Sequence, residues 1–270
     1  MKMREHPFSN LMLRIANSFW SRGFYKRAIP ILCYHSVPDQ CSFRSQMTWL
    51  RDCGYRVMTM DELCDWMVHP ASLDRPAVVL TFDDCYTDQF QNAVPVLTAF
   101  GYPATFFAVT QWLKKRSRVE SGPNIPKLPL MGQGEIRELR QGFGVGSHGR
   151  THMPLSALAP EFQRVEIQSA KQELEEILRE PVRFFCFPYG HYSAAAIEIV
   201  RSSGFKAAAS VRVGAVHASD DPYTLKRLVI PSLPTQEHLM AQLTWIPQAA
   251  ELVHKVPPLT KFARVIWKPR

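Results

Sequence analysis

Ala77-Val78-Val79-Leu80-Thr81-Phe82-Asp83-Asp84 is the stretch on which the reading of this chain turns. Its apolar run has the length of one buried strand, and two adjacent carboxylates close it. Neighbouring carboxylates repel unless a cation or a shared proton lies between them, so the pair points to a site. Further along, Ser147-His148-Gly149-Arg150-Thr151-His152 offers two imidazoles in a His-x-x-x-His spacing, a common way to present two nitrogens to one metal ion. Together the two segments read as a mononuclear metal hydrolase site. Each alone has a plainer reading: an Asp pair after a strand can cap a turn or a helix, and such a His pair can lie on a surface helix.

Outward from this strand the pattern alternates. Ile31 to His35, Tyr55 to Met60, Val78 to Phe82, Ala104 to Val109, Val145 to Ser147 and Arg183 to Phe187 read as strands. Gln46 to Cys53, Asp61 to Val68, Tyr86 to Phe100, Gln133 to Gln141, Pro160 to Arg179 and Ser193 to Ser203 read as helices. Asp61 is expected as a helix cap, and Glu173, Glu175 and Glu176 are expected on solvated faces of the longest helix. Lys114 to Pro129, with three prolines, reads as a long loop. Repeated strand-helix units imply an α/β protein with a parallel sheet, and 270 residues suit closure into one (β/α) barrel. In such barrels chemistry gathers where strands end, and His35, Asp83-Asp84, His148 and Pro188-Tyr189 all fall there.

Composition narrows the class. With 46% hydrophobic and 21% charged residues the chain is an ordinary globular sequence, and no segment nears the roughly 20 apolar residues that span a bilayer. The formal charge of +8 sits at the ends: residues 1 to 30 hold six Lys/Arg against one Glu, and residues 251 to 270 hold five against one. A nucleic-acid binder would carry its basic stripe on the folded body, so no nucleic-acid partner is expected. Basic ends beside apolar residues suit peripheral contact with an anionic membrane better. Phe8, Leu11, Met12, Ile15, Phe19 and Trp20 form one face of an amphipathic helix, which serves equally to pack on the domain or to lie on a membrane. The six cysteines, 33, 41, 53, 64, 85 and 186, form no C-x-x-C pair, and Arg14 and Asn17 interrupt any leader-like run. A reducing, cytoplasmic setting follows as the expectation, with the protein peripheral on the inner membrane face. Three parts are expected: an N-terminal helix and basic segment over 1–28, a barrel over 29–235, and a basic tail over 236–270 packed on or beside it.

Taken with their flanks, these segments resemble the polysaccharide deacetylases, carbohydrate esterase family 4, with its NodB-like homology domain. Thr81-Phe82-Asp83-Asp84 is similar to the family's first motif, Ser147-His148-Gly149-Arg150-Thr151-His152 to its second, and Phe187-Pro188-Tyr189-Gly190 to its third. The likeness runs from Pro30 to Arg227. It implies a single distorted (β/α)7-type barrel and metal-dependent removal of an N-acetyl group from an amino sugar in a polysaccharide, oligosaccharide or lipid-linked glycan. Carried over, Asp84, His148 and His152 would ligate one divalent metal, zinc or a relative such as cobalt, nickel or manganese. Asp83 would be the general base on water, and Pro188-Tyr189 would help hold the developing oxyanion through the Tyr189 backbone N–H.

The chain departs from the pattern in places. Cys85 stands where the first motif has Gly, which strains the backbone if φ is positive there. Cys186 stands where the third motif has the Arg that pairs with the base, and Arg227 is the candidate substitute. Late motifs with their Trp and Leu-x-x-His are not found, so the general acid is sought among His35, His191 and His217, in that order. The nonfunctional readings are a core histidine for His35 and a structural ion pair for Arg227. Two alternatives stand beside the deacetylase: a hydrolase of another non-peptide amide, and a degenerate deacetylase that only binds sugar.

Overall fold

The chain's strands are short, and most residues in them are buried, as strands need to be when helices cover one face and a barrel interior the other. The structure is a computed structural model that describes residues 27–115, 128–231, 238–239 and 242–243. In chain order the strands are β1 (Ala28–Ile29), β2 (Ile31–Tyr34), β3 (Arg56–Met58), β4 (Ala77–Asp83), β5 (Thr105–Ala108), β6 (Gly144–Ser147), β7 (Phe184–Cys186), β8 (Ala207–Val213), β9 (Val216–His217) and β10 (Leu225–Val229). β2 pairs with β10 on one side and with β4 on the other, so the row β2-β10-β8-β7-β6-β5-β4 closes on itself as a parallel barrel of 7 strands. β3 adds to the outer edge at the start of β4, with Arg56 opposite Ala77. β1 and β9 form a separate antiparallel pair.

Alternation along each strand sorts the core into two layers. Leu32, Tyr34, Leu80, Phe82, Phe106 and Phe185 point outward and pack under the helices. Phe82 lies between Tyr34 and Phe106, with ring centroids 5.2 and 4.6 Å away and near-parallel planes. The intervening Ile31, Val79, Phe107, Cys186 and Ala209 point inward. The same period carries Cys33, Thr81, Asp83 and Arg227 to the inner side, which is how polar side chains come to lie inside the barrel.

Several helix bounds differ from the sequence reading, each for a local reason. The first described helix begins at Gln40 instead of Gln46, because Asp39 caps it by accepting from the Cys41 and Ser42 N–H groups. Asp61 is not a cap: Thr59 takes that place in a reciprocal box with Glu62. The Tyr86 to Phe100 helix contains a π-helical turn at Gln89–Ala93 before Val94–Phe100, and Gly101 at φ 63° ends it. The long helix is likewise broken by a π turn at Val165–Ser169, between Pro160–Arg164 and Ala170–Leu178. Glu173 is not on a solvated face; its side chain is 15% exposed and fully engaged, as shown below. The amphipathic segment 8–20, residues 1–26 of the first basic end, all of the second (251–270) and residues 116–127 lie outside the described residues; Lys114 and Lys115, read as the start of a loop, instead end the helix Thr110–Lys115.

Candidate active site

β4 delivers Asp83 as its last, inward-facing residue, and the chain then turns through two left-handed residues, Asp84 at φ 73° and Cys85 at φ 53°. A side chain in that region costs about 1–2 kcal/mol, so the Gly-to-Cys departure at position 85 is held in strain. Cys85 is fixed by Met131, whose N–H donates to its carbonyl at 2.9 Å, and its thiol lies 3.5 Å from the Phe107 carbonyl. The turn swings Asp84 toward the loop after β6.

There His148 follows β6, its N–H bonded to the Ala108 carbonyl at 2.8 Å, and His152 closes the loop at φ 67°. Asp84 Oδ1 lies 3.7 Å from His148 Nε2 and 3.4 Å from His152 Nε2, and all three side chains are buried. A tetrahedral ion with bonds of about 2.0–2.1 Å holds neighbouring donors roughly 3.3–3.5 Å apart, so this spacing fits one divalent cation. The tautomer fits too. His148 Nδ1 lies 2.8 Å from the Cys186 carbonyl, which can only accept, so Nδ1 carries the proton and Nε2 turns its lone pair toward Asp84. The His152 ring is walled by Trp112 at 4.9 Å and Tyr189 at 4.5 Å.

Arg227, from β10, lies under Asp83. Nη1 donates to Oδ1 at 2.8 Å and Nη2 to Oδ2 at 2.7 Å, a two-pronged pair inside the barrel. The other donors are also placed: Nε on the Ser210 carbonyl at 2.7 Å, Nη1 on Thr81 Oγ1 at 3.2 Å and Nη2 on Cys186 Sγ at 3.1 Å. All five guanidinium N–H groups thus have an acceptor. Burial alone would push the Asp83 carboxyl up; the guanidinium outweighs it and holds the carboxyl far below the usual carboxylate range. Burial also pushes the Cys33 and Cys186 thiols up, so both stay protonated and donate to Asp83 Oδ2, at 3.4 and 3.6 Å.

His35 stands just past β2, half-buried, with its ring within 4.8 Å of the Asp83 carboxylate. It is neither a sealed core histidine nor a ligand of the Asp84 group. Pro188 is buried and Tyr189 takes φ 57° at 38% exposure, so the third motif forms a left-handed turn beside His152. Gly190 continues it at φ 67°, where a Cβ would lie 2.6 Å from the Val211 nitrogen. His191 is exposed past that turn. His217 lies apart from these groups: it pairs with Ala28 ahead of β2, at the barrel end opposite the strand ends that carry Asp83 and His148.

Two residues that the sequence reading passed over hold these parts. Gln89, wholly buried in the first π turn, donates through one nitrogen to the Asp83 carbonyl at 2.6 Å and to the His35 carbonyl. Glu166, in the second, accepts from the Arg150 and Thr151 N–H groups. A signal was present for Glu166: an acid on the same helix face as Ala170 and Ile177, both buried, needs a partner.

Residues 71–208 match the family model for polysaccharide deacetylase. The chain belongs to the polysaccharide deacetylase family. Its members are hydrolases of N-acetyl amide bonds and depend on a metal, and the hydrolase reading of the sequence stands. Among curated proteins it is 26% identical to YxkH of Bacillus subtilis, named as a polysaccharide deacetylase, over 78% of this chain and 74% of that one. It is 22% identical to the poly-β-1,6-N-acetyl-D-glucosamine N-deacetylase of Escherichia coli over 78% of this chain, which spans only 38% of that protein. Among solved structures, the deacetylase PplD of Streptococcus pyogenes superposes with a TM-score of 0.70 at 22% identity, covering 80% of this chain and 97% of that one. The expected (β/α)7-type barrel is the fold found.

Proposed function

We propose that the protein removes N-acetyl groups from a glycan of β-linked N-acetylglucosamine type, with Asp83 as base and Asp84, His148 and His152 as the metal ligands. The observation that carries this reading is the juxtaposition of a buried three-donor set with an ionised carboxylate that Arg227 holds beside it. When bound, a zinc-class ion acidifies water and polarises the amide carbonyl. Asp83, 3.9 Å from His148 Nε2, is placed to take the water proton; Arg227 fixes its two oxygens so that it cannot swing into the ligand set. The Tyr189 backbone N–H, on its left-handed turn, is the donor for the developing oxyanion. His35, half-open to the cleft and across from Asp83, is the residue to return a proton to the leaving amine. The acetyl group leaves as acetate, and the sugar keeps a free amine.

Metal analysis of the purified protein, followed by an acetate-release assay on N-acetylglucosamine oligomers, tests this. Turnover that a chelator removes and zinc or cobalt restores is expected, with His148→Ala and His152→Ala proteins losing the metal. Full metal content in both variants would remove them from the ligand set. A lipid-linked glycan and an inner-membrane position are the finer reading that the basic ends support, at about 1 kcal/mol per basic residue near an anionic surface. Flotation with anionic vesicles at low and high salt checks it.

A further inference from the structure

Glu166 takes no part in the chemistry above, yet it is 7% exposed and its carboxylate accepts three hydrogen bonds from one short loop. Oε2 receives the Arg150 N–H at 3.0 Å and the Thr151 N–H at 2.9 Å, and Oε1 receives the Thr151 hydroxyl at 2.7 Å. Arg150 and Thr151 are the middle of the segment that joins His148 to His152. That segment needs help: Gly149 at φ 77° and His152 at φ 67° are both left-handed, and a non-glycine residue in that region persists only where its surroundings over-determine it. The opposite side of the loop is held by the Thr110 and Gln111 N–H groups, which donate to the Gly149 and Arg150 carbonyls at 3.3 and 3.0 Å. Glu173, seven residues after Glu166 on the same helical run, completes the clamp through the Arg150 side chain at 3.0 Å and the Thr110 hydroxyl at 2.6 Å.

The π turn at Val165–Ser169 gives this arrangement its form. One extra residue in the turn shifts the register between Glu166 and the helix that follows, and such insertions recur at functional sites. Here the turn sets a charged residue among Ile167, Ala170 and Leu174, all buried, and the only groups answering that charge in the described hydrogen bonds belong to the loop.

We propose that Glu166 is a positioning residue for the metal site: by fixing the Arg150 and Thr151 amides it sets the angle at which His148 and His152 converge, and so sets metal affinity. The inference rests on the metal-hydrolase reading of Asp84, His148 and His152. A purely structural tie would instead affect folding stability and leave the affinity of the folded protein unchanged.

The test is cobalt titration of the full-length, chelator-stripped protein, read by calorimetry and by the visible absorption of bound cobalt, with a melting curve for each variant. Glu166→Ala is expected to weaken cobalt binding by about 10- to 100-fold, the scale of outer-shell effects on metal affinity, and to change the absorption bands. Glu166→Asp, one methylene shorter, cannot reach both amides and is expected to weaken binding as well. Glu166→Gln should recover most of the affinity, because its carbonyl oxygen can accept both N–H groups while its amide donates to the Thr151 hydroxyl. Wild-type affinity and bands in folded Glu166→Ala, whatever its melting temperature, would overturn the proposal; if that variant does not fold, the same result in Glu166→Asp would. Failure of the wild-type protein to bind cobalt would instead overturn the metal reading itself, and that outcome does not depend on position 166.

Discussion

Asp83 and Arg227 form a pair whose value lies in geometry more than in stability. A buried ion pair gains little over a well-packed apolar one, but removing one partner leaves a bare charge and costs about 3–5 kcal/mol. Because the folded carboxyl is depressed, its pairing is fully present above the unfolded value of about 3.9 and is lost only as pH falls through the folded value. Asp83 is therefore ionised throughout the neutral range, and the acid limb of the wild-type rate profile belongs to another group. Arg227→Met should raise the Asp83 pKa, since the largest of the charges that oppose its burial is then gone, and should lower kcat/KM, with the acid limb moving upward once that pKa passes the group that sets it in the wild type; an unchanged kcat/KM at every pH would separate the pair from catalysis. Asp83→Asn should abolish turnover with metal content unchanged, because the amide is nearly the same shape and cannot accept the proton. Loss of metal in that variant would make Asp83 a ligand instead. These residues were legible in the sequence because chemistry restricts them: only a few side chains bind cations or carry protons. The partner of Asp83 was harder to read. Cys186 stands in the usual place, and the guanidinium arrives from a strand 144 residues away, so it was the family resemblance that named Arg227 as the substitute, and the inward phase of β10 is what brings it there.

The two π turns are the elements that pattern reading could not see. A period of 3.6 residues tolerates one inserted residue without visible disturbance, so Tyr86 to Phe100 and Pro160 to Arg179 both read as plain helices. Yet each turn carries the buried polar residue that holds one wall of the site, Gln89 for β2 and β4 and Glu166 for the loop after β6. Gln89 acts on backbone alone, linking the strand ends that carry His35 and Asp83. Gln89→Ala would leave the buried Asp83 carbonyl and the part-buried His35 carbonyl without that donor, at about 1–3 kcal/mol for the buried one. It should also lower kcat by about tenfold or more, a loss of ~1.4 kcal/mol in transition-state stabilisation, while KM and metal content change little. Denaturant unfolding and steady-state kinetics on the variant check both parts. A stability loss with unchanged kcat would leave Gln89 a structural tie. Strand ends and caps were read unevenly for a related reason: Thr59 and Asp39 outcompete nearby alternatives through bonds to specific N–H groups, which depend on the path the chain takes into the helix.

At the scale of the molecule the barrel places three kinds of residue on one rim: the proposed ligand set after β4 and β6, the ion pair between β4 and β10, and the third-motif turn after β7. The alternation of strands and helices up to β7 was readable from the turn and helix signals between them, while β8 and β10, the strands that close the barrel, were not, since Ala207–Val213 and Leu225–Val229 lack the long aliphatic runs that mark β4. Three polar donors converge in a buried spot at the rim, so a metal held there would bind the folded chain and not the unfolded one. Such a ligand stabilises by about 2.7 kcal/mol at one hundred times its dissociation constant. For a barrel of this size each kcal/mol is worth roughly 2–4 °C, so saturating zinc or cobalt should raise the melting temperature by about 5–11 °C over the chelated protein. Scanning calorimetry with and without chelator measures it, and His152→Ala should lose the increment while still folding, because its ring stands at the rim rather than within the aromatic layer under the helices. An equal melting temperature in both conditions for the wild-type protein would mean that the three donors do not share an ion.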